Sequence, residues 1–383
     1  MGSHDAYMTL AIISHTEHYT TTDGTLVGWS PTVNEINHLL DLFETIYHLA
    51  MHVEGAPPKS VMAYASDRIH FIPLPSVGGP KFSDKLKVLW HAPNIIQCVS
   101  KVLKQVDYFQ LRTPTGIGVF LIPYLTLFSK KKGWYKYAGN WNQKHPPVGY
   151  GLQRWMLKHQ SRKVTINGQW ANQPPHCLSF ENPCLTEDDL AEGLRVARQK
   201  SIEGPLTFCF VGRIEPEKGV GCILEALQVL SEVERQRIDA VHCVGEGAAL
   251  DDYKIQATKI PIPITFHGAL SRNDVFDIYK VSHAILMPTT ASEGFPKVLA
   301  EAMAFGCIPI VSNMSSIGHY IQHGKQGFLL EPVSATSLVE QIGHLSSINP
   351  LHHQSMLTLQ HEVCKRFTFG QYHQKIRIQL LNP

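Results

Sequence analysis

The 383-residue sequence predicts an α/β protein of two Rossmann-like, doubly wound domains facing a central cleft. Three observations predict it. The chain is about twice the length of a typical domain. Its second half alternates β-rich runs with helical runs of about ten residues or more, the pattern of parallel βαβ units. Several of those runs end in glycine, and open parallel sheets bind ligands at the carboxyl ends of their strands.

The second half reads in order as follows. LTFCFVGRI (206–214) is a strand ending in Gly212-Arg213, and GVGCILEALQVLSEV (219–233) has helical spacing. IDAVHCVGEG (238–247) is a second glycine-ended strand, and 249–260 is helical. ITFHGAL (264–270) is a strand, 273–282 a helix, and HAILMPT (283–289) a strand. PKVLAEAMAFG (296–306) is a helix, CIPIVS (307–312) a strand, and 334–345 a helix.

The first half follows a similar plan with less regular punctuation. MTLAIIS (8–14) is the first strand, and a polar loop follows it. Residues 30–53 read as one amphipathic helix, N-capped near Ser30. RIHFIPLP (68–75) and DYFQLRTP (107–114) are strands closed by proline, and 162–168 and 176–183 complete the set. The apolar run Gly116–Phe128 contains a proline and is too short to span a bilayer, so it reads as a buried helix. The domain limits expected are 1–190 for the first Rossmann-like domain, a linker at 191–204, 205–365 for the second, and a last segment at 366–383.

Composition excludes several classes. With 44% hydrophobic and 17% charged residues, the chain has ample material for two cores. The net charge of +2 divides into +5 for residues 1–200 and −3 for the remainder. A mildly basic first half suits a phosphorylated partner or an anionic membrane surface, but falls short of a nucleic-acid binder. Eight cysteines without a C-x-x-C pair indicate neither a zinc site nor a disulfide framework, so a reducing cytoplasm fits. The start of the sequence lacks a basic-then-apolar signal segment. The run Lys130–Tyr137 mixes cations with aromatics, which permits peripheral contact with the inner face of a membrane.

Chemistry gathers at the strand ends. Arg213 and Lys218 place two permanent cations beside a helix start, where backbone N–H groups already favour anions. That arrangement suits a diphosphate. Glu293 lies just before the helix that begins near Pro296, and Glu301 lies within it. At 1.5 Å per residue their positions are about 12 Å apart along the axis. One carboxylate then reaches a sugar hydroxyl and the other a ribose. The main chain of Gly294, Phe295, Pro296, Lys297 and Val298 runs between them, and its N–H groups can hold phosphate oxygens.

Over 206–330 the sequence resembles the retaining family 4 of glycosyltransferases, which have the GT-B fold. The resemblance rests on five stretches. They are the G-R-x4-K-G loop, Val244-Gly245-Glu246-Gly247, His267-Gly268-Ala269-Leu270, the block from Ser292 to Val311, and Gly327-Phe328-Leu329. It implies that Arg213 and Lys218 bind the donor diphosphate, that Glu293 holds the sugar hydroxyls, and that Glu301 holds the ribose. It also implies that the main chain from Gly268 to Leu270 meets the base, with Gly212 and Gly245 beside the donor. The activity implied is metal-independent, retaining transfer from a nucleoside-diphosphate sugar, UDP being the favoured nucleotide, to a saccharide or lipid-linked acceptor. No cofactor and no metal are expected. Residues Arg366–Tyr372 resemble the family's last helix, so the resemblance implies an acceptor-binding domain at 1–190, a nucleotide-sugar domain at 205–365, and a helix within 366–383 that returns toward the first domain.

The first half matches in outline only. Asp23-Gly24-Thr25 corresponds to a glycine-rich turn beneath acceptor and phosphate, which places Gly24 among donor contacts. Near residue 112 the family often has His-x-His, whereas this chain has Gln110-Leu111-Arg112. Arg112 is then either a polar contact to sugar or acceptor, or one partner of a structural ion pair. His15 and His18 lie near the first strand's end and are candidate substrate contacts, and Glu44, His48 and His52 read as one polar helix face. The absence of Asp-x-Asp argues against a metal-bridged diphosphate. A sugar-nucleotide epimerase and a catalytically silent sugar-nucleotide-binding subunit are the competing readings.

Overall fold

The computed structural model describes residues 8–78 and 87–381. The chain forms two compact units, one made of residues 1–180 with 373–383 and the other of 181–372.

Unit 1 is built on a sheet of nine strands among the described residues. They are β1 (Thr9–Thr20), β2 (Leu26–Trp29), β3 (Thr45–His52), β4 (Val61–Ala63), β5 (Ile69–Leu74), β6 (Tyr108–Thr113), β7 (Lys132–Tyr137), β8 (Val164–Ile166) and β9 (Cys177–Ser179). The order is β4-β2-β1-β6-β7-β8-β9, with β3 between β1 and β5. Pairing is parallel except that β2 runs against β1 and β4 against β2. Helices Ala92–Leu103, Gly118–Leu127 and Val148–Lys158 bury one side each, and Ile95, Val99, Leu121, Leu125 and Leu157 meet Phe109, Leu111 and Tyr135 of the sheet.

Four expectations for this half are corrected. Residues 30–53 are not one helix: Ser30–Leu39 is helical, and Thr45–His52 is β3. Because β3 lies between β1 and β5 with both faces covered, its apolar residues do not alternate, and an unalternating run has no strand signature of its own. Nor does a side chain cap the helix, since its N-cap position is Trp29. The polar loop after the first strand is instead a continuation of β1 across a register shift between Ile13 and Glu17, followed by a hairpin into β2. Residues 132–137 of the basic-aromatic run 130–137 form β7, an interior strand whose Trp134, Tyr135 and Tyr137 are core residues. Its aromatics are therefore unavailable to a membrane.

Unit 2 has six parallel strands: β10 (Leu206–Val211), β11 (Ile238–Val244), β12 (Ile264–Gly268), β13 (Ala284–Met287), β14 (Ile308–Ser312) and β15 (Phe328–Leu330). Their order is β12-β11-β10-β13-β14-β15. All six residues of β10 and all four of β13 are buried, as continuous apolar runs in a doubly covered parallel sheet should be. Fully burying each large side chain contributes roughly 1.5–3 kcal/mol, so these two strands anchor the unit. A fifth correction, in unit 2, concerns 191–204. Much of it belongs to helix Glu187–Ala197, opened by a capping box in which Thr186 and Asp189 bond each other's backbone N–H. The acidic segment is a helix start, and residues 191–204 lie inside unit 2.

Among the described residues, no helix is long and apolar enough to cross a membrane.

Candidate functional site

The strand order of unit 2 reverses between β10 and β13, which makes the crevice above their carboxyl ends the expected ligand position. The two loops that leave these strands carry Arg213 and Lys218 on one side and Glu293 on the other.

Backbone contacts lock the loops together. The N–H of Gly212 donates to the Val244 carbonyl at 3.0 Å, that of Gly245 to Gly268 at 2.8 Å, and that of Ile214 to Glu246 at 2.9 Å. A Cβ on Gly245, whose φ is +138°, would lie 1.8 Å from the Gly212 carbonyl oxygen. The strand-end glycines thus first permit loops to touch one another, a reason the sequence reading assigned to ligand approach. Gly219 is held at φ +96°, and a Cβ there would lie 2.4 Å from the Pro288 carbonyl. The N–H of Thr290 donates to Glu217 at 2.9 Å, and the Thr289 hydroxyl to the same carbonyl at 3.0 Å. The loops after β10 and β13 consequently behave as one piece.

The charged groups converge on that piece. The Lys218 ammonium, on a mostly buried side chain, is paired with the Glu293 carboxylate. Burial, and then the nearby Arg213 cation, lower its pKa below the usual lysine value. Arg213 is exposed and donates to Glu215 at 2.9 Å. Glu293 is positioned from behind: its N–H donates to the Ser315 hydroxyl at 3.1 Å, and Ser315 occupies the left-handed region at φ +55°. A non-glycine residue held there is strained, which marks Ser315 as a support the sequence did not reveal.

The helix Lys297–Ala304 begins at an N-cap Pro296 with no side-chain cap, leaving its start to the crevice. The Phe295 side chain does not serve the crevice. It packs on Tyr320 and Phe367, with ring centroids 4.7 and 4.8 Å away, so only its main chain can meet a ligand. Leu270 and Val298 are partly buried against the same core. Burial pushes the Glu301 carboxyl above the usual carboxylate range, while Arg272 and Lys297 pull it down. Arg272 is itself fixed by Asp189 at 2.6 Å and the Cys184 carbonyl at 2.7 Å. It lies two positions beyond Leu270, just outside the matched motif, and was missed for that reason.

The remaining candidates belong to unit 1. Gly24 sits in the exposed β1–β2 hairpin turn at φ +85°, where Asp23 bonds Thr21 and Thr25. His18 is fully buried: Nε2 meets the Tyr64 hydroxyl at 2.8 Å and Nδ1 the Thr16 carbonyl at 3.1 Å. Burial lowers its pKa to about 4. His48, also buried, bridges Ser14 at 2.8 Å and Tyr64 at 2.6 Å, and so faces the interior as part of β3. His15 is half-buried and bonded to the Val77 carbonyl at 2.6 Å. Arg112 donates to Glu35 at 2.9 Å and to Gln110 at 3.0 Å, and Lys136 donates to the same Glu35 oxygen at 2.5 Å. Of the two readings of Arg112, the ion pair is the one seen. Glu35, its partner, and Lys136, which shares that carboxylate, had no recognisable motif. Among the described residues, no group of three His, Cys, Asp or Glu is placed to hold a metal ion.

Known proteins share this fold and part of this sequence. Residues 195–355 match the family described as "Glycosyl transferases group 1". The chain is 25% identical over 195 residues to the lipopolysaccharide 1,2-N-acetylglucosaminetransferase of Salmonella typhimurium, covering 49% of this chain and 48% of that one. It is 30% identical over 133 residues to a phosphatidyl-myo-inositol mannosyltransferase of Mycobacterium tuberculosis, covering 34% of each. The match spans about half the length of the first of these relatives and a third of the second. In fold the likeness is wider: Anabaena Alr3699/HepE in complex with UDP-glucose superposes with a TM-score of 0.69 at 14% identity, over 98% of this chain and 100% of that one. The lipopolysaccharide outer core galactosyltransferase WaaB, in apo form, gives 0.64 at 16%, over 97% and 98%. With a reversed parallel sheet, cations and carboxylates gathered at its switch point, and these matches, the chain has the GT-B fold, and its residues 195–355 are similar to the group 1 glycosyl transferases.

Proposed function

We propose that the protein transfers a sugar, with retention at the anomeric carbon, from a nucleoside-diphosphate sugar to a hydroxyl of a saccharide or lipid-linked acceptor, in cell-surface polysaccharide or glycoconjugate synthesis. The observation that carries the reading is the pairing of Lys218 with Glu293 across the switch point, beside Arg213 and an uncapped helix start. A largely buried lysine and an exposed arginine close together favour an anion between them. As the sugar leaves, negative charge grows on the diphosphate, and Lys218, Arg213 and the main-chain N–H groups of Gly294, Phe295, Lys297 and Val298 stabilise it. Glu293, released from Lys218 by the incoming phosphates, turns to the sugar hydroxyls, and Glu301 to the ribose. The leaving phosphate oxygen takes the acceptor's proton. A UDP-sugar is favoured because Anabaena HepE, of the same fold, is seen with UDP and UDP-glucose. The cations do the work a divalent metal would otherwise do, so chelation should leave turnover unchanged.

A thermal-shift screen across UDP-, GDP- and ADP-sugars identifies the donor, since a ligand that binds only the folded state adds about 2.7 kcal/mol at a hundredfold excess over Kd. Lys218→Ala and Arg213→Ala should each lower kcat by roughly 10²–10³. Near-normal turnover in both variants refutes the assignment. Product formed without acceptor would instead identify an epimerase, and donor binding with neither transfer nor hydrolysis a silent binding subunit.

A further inference from the structure

Three helices of unit 2, Glu187–Ala197, Lys297–Ala304 and Pro350–Cys364, leave a groove of about 340 Å³ between them. None of the candidate donor residues lines it. Glycine lets the chain close up at two points beside the groove. A Cβ on Gly193 would lie 2.4 Å from the Ala304 carbonyl oxygen, and one on Gly306 would lie 2.8 Å from the Ala197 Cβ. Next to those contacts Ala197 and Ala304 are too small to fill the space that larger side chains would occupy. A space of this size falls within the range of small-molecule sites.

The lining is of two kinds. Leu194, Ala197, Met303, Ala304 and Leu357 make an apolar floor. Arg198, Gln354 and Thr358 stand exposed at the rim, and His361 lies half-buried in the wall. The charge of the lining is uneven. Its one acid, Glu362, is already bound to Lys365 at 2.5 Å, whereas Arg198 has no carboxylate partner among the described residues. Helix ends that meet there do not answer that cation. The carbonyls of Leu194 and Ala197 accept from the N–H groups of Arg198 and Lys200, and that of Met303 from Gly306. The Arg198 guanidinium is therefore the uncompensated charge of the groove. The buried Nδ1 of His361 also has no hydrogen-bond partner among the described residues, which native interiors seldom allow.

We propose that this groove is a second binding site, which takes a small carboxylate with an aliphatic body. The planar guanidinium fork of Arg198 grips a carboxylate through two parallel N–H bonds. The hydrocarbon body then covers the floor of alanine, leucine and methionine and removes it from water. His361 turns about its two-fold terminal torsion to meet the bound head group. The two halves of the lining exclude other classes. A sugar phosphate satisfies Arg198 but leaves the floor bare, and an aliphatic amine covers the floor but sets a cation against Arg198. The inference needs neither donor nor acceptor, so it stands apart from sugar transfer.

The test is calorimetric titration of the full chain with octanoate, and with acetate and octylamine as the head without the tail and the tail with the opposite charge. Octanoate should saturate one site with a Kd on the order of 1 mM or lower. Acetate, which cannot cover the floor, should bind at least about tenfold more weakly, and octylamine should not compete. Arg198→Gln removes the charged fork and should weaken octanoate about tenfold or more. Thr358→Trp fills the groove from its rim and should abolish binding. Both positions are exposed, so both variants should keep the wild-type melting temperature in the absence of octanoate. If the tryptophan variant misfolds, the glutamine variant alone decides. A wild type that shows no saturable octanoate binding overturns the proposal. So does octylamine binding as tightly as octanoate, or unchanged octanoate binding in either folded variant.

Discussion

A methyl group on Gly245 has nowhere to go, with the Gly212 carbonyl oxygen 1.8 Å from its position and φ at +138°. Gly245→Ala must push the two strand-end loops apart, a strain on the order of 1–3 kcal/mol from the backbone alone. We expect a lowered melting temperature and loss of the thermal shift with UDP; an unchanged shift would show that the loops are not one piece. His18 gives a prediction of another kind. Folded, it stays neutral down to about pH 4, whereas in the unfolded chain it takes up a proton near pH 6.5. Between those limits the unfolded state binds more protons, so stability falls as pH falls, by up to about 1.4 kcal/mol per unit, and levels off below pH 4. Buried His48 acts in the same direction. Urea midpoints from pH 7 to pH 5 should decline, and His18→Gln should flatten the decline; midpoints independent of pH in the wild type would disprove it. Both residues stood out in the sequence, but burial, which reverses the meaning of a histidine, did not.

At the scale of elements, the instructive case is the union of helix Ser30–Leu39 with β6 and β7 through Glu35, Arg112 and Lys136. All three side chains are largely buried, and the cluster holds two cations against one carboxylate. Removing the carboxylate leaves two cations without it, which typically costs about 3–5 kcal/mol. Glu35→Ala should therefore destabilise unit 1 by that order in chemical denaturation. A change below about 1 kcal/mol would show the cluster to be hydrated in solution. The same elements show where pattern reading worked and where it did not. Period and punctuation were enough for the strands and helices of unit 2, whose buried runs alternate with amphipathic ones. In unit 1 a helix and an interior strand stood in series without glycine or proline between Leu39 and Thr45, so one long helix was the simpler reading. The run at 130–137 looked amphipathic because lysines flank its aromatics, yet β7 buries those aromatics and turns Lys136 to Glu35.

For the molecule as a whole, residues 181–372 form a compact unit with its own core, and the candidate donor residues other than Gly24 lie within it. Expressed alone, that segment should fold cooperatively and keep the thermal shift with UDP while losing sugar transfer; absence of nucleotide binding in a folded fragment would place donor contacts in unit 1. The sequence by itself determined the fold class, the parallel sheet of unit 2 and the loops that bear Arg213, Lys218, Glu293 and Glu301, because periodicity, strand-end glycine and charge at a helix start are local and survive in one dimension. Only the tertiary structure decided what those groups touch. It paired Lys218 with Glu293, set Ser315 behind the carboxylate, brought Arg272 beside Glu301, enclosed His18 and bound Arg112 to Glu35. Burial and pairing are set by neighbours tens of residues away, and no spacing rule within one element encodes them.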